Sequence, residues 1–232
     1  MFDAVTAGRG AETERVIDEP RGFGLAPARF DDRVCRLFDI FVATVAIAFT
    51  SPLMLALIVV VWMSDGGPVF FGHQRIGRDG RRFRCLKFRS MMVDADERLA
   101  ALLANDPVAR AEWNRDHKLR QDPRVTPVGR FLRRSSLDEL PQLFNVLVGE
   151  MSIVGPRPIV AAEIPSYGRR FSSYCRIRPG ITGLWQVSGR NDVCYRRRVA
   201  MDYLYARRKS LLLDMWIVLL TVPAVLLARG SY

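Results

Sequence analysis

The chain has 232 residues, enough for one packed domain with appendages; 49% of them are apolar, yet the formal net charge is +11. So basic a balance requires an anionic partner, whether nucleic acid, an anionic membrane surface or phosphorylated substrates. Two histidines and four cysteines without paired zinc spacing exclude a histidine metal cluster and a disulfide framework, argue against a histidine-centred triad, and read as reduced thiols in the cytosol.

Residues 1–32 mix Gly, Pro, Arg and Glu without periodicity and without the apolar run of a signal peptide, so they are expected to form a disordered tail. Residues 33–65 contain a stretch from Ile40 to Ser64 that carries no charge. At about 1.5 Å per residue it would measure roughly 37 Å, longer than a hydrocarbon core of about 30 Å. Ser51-Pro52 falls at its midpoint, where proline removes a backbone donor and the serine hydroxyl can satisfy a freed carbonyl. Arg33 and Arg36 precede the stretch and Arg75 and Arg78 follow it, and positive flanks favour the cytoplasmic side. Two readings stay open here: a kinked span, or a re-entrant helix-break-helix that dips into one leaflet and returns.

Residues 66–232 are expected to form the soluble body. The run from Val69 to Met92 reads as a β-hairpin turning at Gly77-Arg78-Asp79-Gly80, and seven basic residues against one acid lie between Arg75 and Arg89. That density favours a phosphate- or headgroup-binding surface over a merely solvated face. Helices are expected over Asp94–Ala104, from Asp106-Pro107 towards His117, and from near Ser136 to Gly149.

Asp138-Glu139 admits two readings. Ser136 and Glu139 have capping-box spacing, but Pro141 would then be the fifth helical residue. If the helix starts at Asp138 or Glu139 instead, the carboxylates sit at its N-terminus, placed for a nucleophile beside a divalent-cation ligand. Prolines on both sides of Arg157, in Gly155-Pro156-Arg157-Pro158, present one cation on a rigid loop. The glycine-dense run from Arg178 to Arg190 reads as a backbone-lined binding loop rather than a core element. Asp202 is expected at or near a helix start, and the last apolar run, Leu211 to Ala228, as an interfacial amphipathic or packed core helix.

Taken in order, Ser51-Pro52, Lys87-Phe88-Arg89-Ser90-Met91, Ser136-Leu137-Asp138-Glu139-Leu140-Pro141-Gln142, Gly155-Pro156-Arg157-Pro158 and the run from Arg178 to Gln186 resemble the monotopic phosphoglycosyl transferases, or bacterial sugar transferases. Gly189-Arg190-Asn191-Asp192-Val193 and the terminal Arg229-Gly230-Ser231-Tyr232 are most similar to the exopolysaccharide-initiating undecaprenyl-phosphate galactose phosphotransferases. The resemblance implies an α+β, mainly helical fold: a re-entrant membrane helix, and a cytoplasmic catalytic domain with a short hairpin and interfacial helices. It implies that Asp138 attacks the β-phosphate of a Mg²⁺-bound UDP-sugar and that undecaprenyl phosphate then takes the sugar phosphate from the aspartyl ester. Glu139 would hold Mg²⁺ with Asp138, and Lys87, Arg89, Arg157, Arg178 and Arg190 would bind phosphate or nucleotide, with Asp202 a further site residue. The sugar is expected to be galactose, with glucose the alternative. The expected setting is the inner membrane among its lipids, without nucleic acid and open to homo-oligomerisation; a basic membrane-tethered binding protein is the rival class. The chain departs from the family at Lys209-Ser210, where relatives often carry Trp-Ser.

Overall fold

A computed structural model describes residues 32–116, 119, 122–188 and 193–226, and the body is mainly helical with two small sheets. Helix α1 (Asp32–Asp65) leads into the antiparallel hairpin β1 (Phe70–Ile76) and β2 (Arg82–Phe88). Helices α2 (Ala95–Asn105), α3 (Pro107–Asp116), α4 (Pro127–Ser135) and α5 (Gln142–Val148) follow. Strand β3 (Ser152–Val154) pairs in parallel with β4 (Gly180–Thr182) across the short helices α6 (Ile164–Tyr167) and α7 (Phe171–Cys175). Helices α8 (Leu184–Ser188), α9 (Tyr195–Arg208) and α10 (Leu211–Leu226) complete the described chain.

At Ser51-Pro52, where the break is expected, helical backbone lies on both sides and α1 is assigned as one 34-residue element with Pro52 inside it, the residue type at which helices bend. The hydrogen bonds freed there are met locally. Pro52 cannot donate to the Ala48 carbonyl, and Ser51 Oγ donates to that oxygen at 2.9 Å instead. Thr50 Oγ1 donates to Ala46 O at 2.7 Å, two residues before that carbonyl.

α1 packs on the body through both halves, with Ala46 and Ile47 still leaning on the core, and is least covered around its midpoint. Cys35, Asp39 and Ala43, spaced by four, are buried in the N-terminal half. There Asp39 accepts from Ser152 Oγ and from Ile153 N, each at 2.8 Å, and Arg36 donates to the Val146 and Leu147 carbonyls that close α5. Met54, Leu57 and Val61 are buried in the C-terminal half, packed with Phe88 and Leu132. Between them no residue from 44 to 53 is buried, and large side chains such as Val45, Phe49 and Leu53 are exposed. It is the one helix among the described residues long and apolar enough to cross a membrane.

The main core joins Phe83 and Cys85 of β2, Leu143 and Val146 of α5, Ile153 and Val154 of β3, and Ile217 of α10. The run from Arg178 to Arg190, expected as a backbone-lined binding loop rather than a core element, is corrected in its described part: Gly180 and Thr182 are buried in β4, and Trp185 is buried in α8. Glycine at 180 is required by close approach, since a Cβ there would lie 2.0 Å from the backbone nitrogen of Gly155. Lys209 is buried as well, its Nζ 3.2 Å from Asp214 Oδ2 and 2.9 Å from the Tyr205 hydroxyl. α10 thus turns Asp214 and Ile217 inward and leaves Leu212, Trp216 and Leu219 outside, so its outer face is apolar.

Candidate active site

The site is assembled by the side chain of Asn145. In a two-stranded hairpin the outer edge of β2 has unpaired backbone groups; Asn145 Oδ1 accepts from Leu86 N at 2.9 Å and its Nδ2 donates to Arg84 O at 2.8 Å. That clamp lays α5 along β2 and brings the turn just before α5 against the strand. The turn is a 3₁₀ segment, Leu137–Glu139, launched by Ser136 in the left-handed conformation (φ 58°). Ser136 makes no side-chain cap, so the capping-box reading is not what the fold uses. Nor does a helix begin at Asp138: Pro141 is the N-cap of α5, where its missing donor costs nothing.

Within this turn both carboxylates converge on Lys87 of β2. Its Nζ lies 2.6 Å from Glu139 Oε1 and 3.4 Å from Asp138 Oδ2. Asp138 is nearly enclosed, with 10% of its side chain accessible, whereas Glu139 keeps 35%. Burial raises the Asp138 carboxyl above its ordinary value, the Lys87 charge opposes this, and the like charge of Glu139 adds to it. For Glu139, burial pushes upward too, but Lys87, reinforced by Arg157 and Arg75, outweighs it and holds the carboxyl low. Burial works against the Lys87 ammonium, yet the two carboxylates keep it firmly charged. The two carboxyls are therefore pushed apart: Glu139 is held low and Asp138 is raised, which makes Asp138 the more basic and the more nucleophilic of the two.

Arg157 is exposed between buried Pro156 and Pro158, and its charge reaches Glu139 and Lys87. Its loop is anchored on both sides: Gly180 N donates to Pro156 O at 2.8 Å, and Ile76 N donates to Ile159 O at 2.9 Å.

The other expected site residues lie elsewhere. Arg89 is buried and held bidentately by Asp65 at the end of α1, with Nε on Pro68 O, so it clamps the helix to the hairpin. Arg178 donates to Gly149 O at 2.9 Å and reaches Asp32 at 3.3 Å, tying the start of α1 to the loop before β3. Asp202 sits in the middle of α9, not at its start, because the helical path already begins at Tyr195. There it is buried and accepts a 2.7 Å hydrogen bond from the Tyr167 hydroxyl. Arg190 lies outside the described residues.

Two cations at the site were not singled out from the sequence. Arg75 donates to Pro158 O at 3.1 Å beside the Arg157 loop, and its charge lowers Glu139. Strand parity could have found it, since the turn at 77–80 puts Arg75 on the face of Phe83 and Lys87. Arg133, at the end of α4, donates to Ser90 Oγ at 2.9 Å and its charge acts on Asp138.

Residues 30–228 match the model of a protein family described as bacterial sugar transferase. The exopolysaccharide production protein ExoY of Sinorhizobium fredii is 53% identical over 85% of this chain and 87% of its own length. An undecaprenyl-phosphate galactose phosphotransferase of Salmonella typhimurium is 53% identical over 85% of this chain, which covers 41% of that longer protein. A UDP-glucose:undecaprenyl-phosphate glucose-1-phosphate transferase of Xanthomonas campestris is 43% identical over 84% of this chain and 39% of its own length.

Proposed function

The chain belongs to the bacterial sugar transferase family, and from that premise we propose that it transfers a sugar 1-phosphate from a UDP-sugar to undecaprenyl phosphate through a covalent Asp138 ester. The observation that carries this reading is the carboxylate pair gathered on Lys87: an enclosed Asp138 whose basicity is raised, beside a Glu139 that Lys87 holds low. In the first displacement an Asp138 carboxylate oxygen attacks the β-phosphorus, the bond from that phosphorus to the bridging oxygen breaks, and UMP leaves with the electron pair. In the second, an oxygen of undecaprenyl phosphate attacks the same phosphorus and the Asp138 carboxylate is released, leaving undecaprenyl diphosphate-sugar. Arg157 on its rigid loop and Lys87 on β2 supply fixed positive charge where phosphate oxygens gather, the main requirement of phosphoryl transfer.

Two adjacent carboxylates fit Mg²⁺, which typically takes one or two from protein and the rest from phosphate and water. Glu139 and Asp138 would hold the ion, and bound there it would neutralise charge on the diphosphate.

α1 supports a membrane setting. Both halves pack on one body while large apolar side chains around the midpoint, Val45, Phe49 and Leu53, are exposed, which supports a helix that enters a leaflet and returns to the side it came from. With basic residues at both ends, that side is the cytoplasmic face of the inner membrane. Galactose is the first choice of sugar, since relatives named for galactose transfer reach 53% identity; the 43% relative named for glucose makes UDP-glucose the second reading.

Asp138→Asn tests the central step. Purified full chain with UDP-galactose, UDP-glucose and undecaprenyl phosphate in detergent should release UMP; the variant should fold and release none. Turnover at the normal rate by Asp138→Asn would remove the nucleophile assignment.

A further inference from the structure

The pairing of β1 with β2 sets Phe71 opposite Lys87, His73 opposite Cys85 and Arg75 opposite Phe83. Directly opposed residues of an antiparallel pair project to the same face. His73 therefore shares a face with Lys87, the residue that gathers Asp138 and Glu139, and is its diagonal neighbour at about 7–8 Å between Cα atoms. On that face Phe83 and Cys85 of β2 are buried in the core, whereas His73, on the outer strand, is exposed. The Phe71 ring stands beside it, 6.1 Å between centroids and tilted by 39°, and Phe71 is itself 54% exposed. An open ledge of two rings thus runs along the rim of the carboxylate pair, and neither ring has a part in the two displacements.

The chemistry of that ledge differs from its surroundings. Partial burial, with the charges of Arg75 and Lys87 alongside, holds the His73 imidazole below its ordinary value, so it is neutral at neutral pH. A neutral imidazole offers one donor and one acceptor. Phosphate oxygens are acceptors only and already have Lys87 and Arg157, whereas a sugar hydroxyl both donates and accepts. The flat apolar face of a pyranose also suits an aromatic ring at its side.

We propose that His73, flanked by Phe71, contacts the transferred hexose, its imidazole exchanging a hydrogen bond with a ring hydroxyl and so contributing to the choice of sugar. This rests on the transferase reading above. The contact makes or breaks no covalent bond, and His73 is a substrate-contact residue that acts through binding. Glutamine at 73 would keep a donor and an acceptor; alanine would keep neither.

The test uses the full chain in detergent and compares wild type, His73→Ala and His73→Gln for UMP release from UDP-galactose and UDP-glucose, inhibition by UDP, and the KM for undecaprenyl phosphate. His73→Ala is expected to lower kcat/KM for the preferred UDP-hexose about tenfold, the size of one lost hydrogen bond, and to narrow the ratio between the two sugars. Inhibition by UDP and the KM for undecaprenyl phosphate should stay at wild-type values, and His73→Gln should recover most of the loss. Because the side chain is exposed, both variants should melt with the wild type. Unchanged kcat/KM in His73→Ala would overturn the proposal. So would an equal weakening of UDP inhibition, which would place His73 at the nucleotide, or a raised KM for undecaprenyl phosphate, which would place it at the acceptor. A glutamine variant no better than alanine would overturn the hydrogen bond. If the wild type released UMP from no UDP-hexose, the transferase reading itself would fail, an outcome distinct from any failure confined to the variants.

Discussion

Lys87 is the residue on which the site depends most, because one ammonium serves two carboxylates carried by different residues. In Lys87→Met the enclosed Asp138 and Glu139 would face each other with no cation between them, and one of the pair would take up a proton. UMP release should then fall on the order of a hundred- to a thousandfold, with the melting temperature in detergent little changed. Lys87→Arg keeps the charge but presents a planar fork suited to one carboxylate at a time. It should recover no more than about a tenth of the rate, and recovery to the wild-type rate would show that charge alone suffices. Lys87 and Arg89 look equivalent in the sequence, two residues apart in one motif, and only the fold separates them. β2 ends at Phe88, so Lys87 still follows the strand's alternation towards Asp138, while Arg89 turns into the buried clamp with Asp65. That Asp65 would close on it depends on where α1 ends, which no local pattern around residue 89 encodes.

α9 reaches the site through the loop that carries Arg157. Asp202 holds Tyr167, whose ring packs edge-on against Tyr174 at 5.3 Å, and the Tyr174 hydroxyl bonds both Ile76 O and Ile159 N. Burial pushes the Asp202 carboxyl up to about 7, with the Tyr167 hydrogen bond and Arg198 opposing. The folded protein therefore keeps a proton at Asp202 that the unfolded chain gives up near 3.8, and stability from this group falls as pH rises from about 4 to about 7. The shift corresponds to at most about 4 kcal/mol. Asp202→Asn retains an acceptor for Tyr167 and cannot ionise, so its melting temperature in detergent should exceed that of wild type at pH 8, with the gap shrinking at pH 5. An equal gap at both pH values would mean that Asp202 does not titrate in that range. Elements of this kind were unevenly legible. The hairpin turn and α3 followed from Gly, Asp and Pro positions, and α4 has the same kind of signal, Thr126 capping Gly129 N with Pro127 at the first turn. Strands β3 and β4 were not legible: each has three residues, one begins with glycine, and their pairing joins positions 28 apart at Ser152 and Gly180.

For the whole molecule, the question is how a helix of 34 residues, about 51 Å if straight, relates to a bilayer core of about 30 Å. Length and apolarity alone suit a crossing helix, and the sequence left crossing and return both open. Packing supports return, because Asp39 is bonded to β3 and Val61 packs with Phe88 of β2 in one connected body, and a crossing helix would have to carry one of these contacts to the far side. The native thiols cannot report on this, since Cys35 and Cys85 are buried. Arg33 and Ser64 are exposed near the two ends of α1, and Cys194 is the exposed thiol to replace first among the described residues. In a Cys194→Ser background, Arg33→Cys and Ser64→Cys should both resist an impermeant thiol reagent added outside intact spheroplasts. Both should react once the inner face is opened. Labelling of either one from outside would make α1 a crossing helix, and would separate one of its packed ends from the body that carries Asp138.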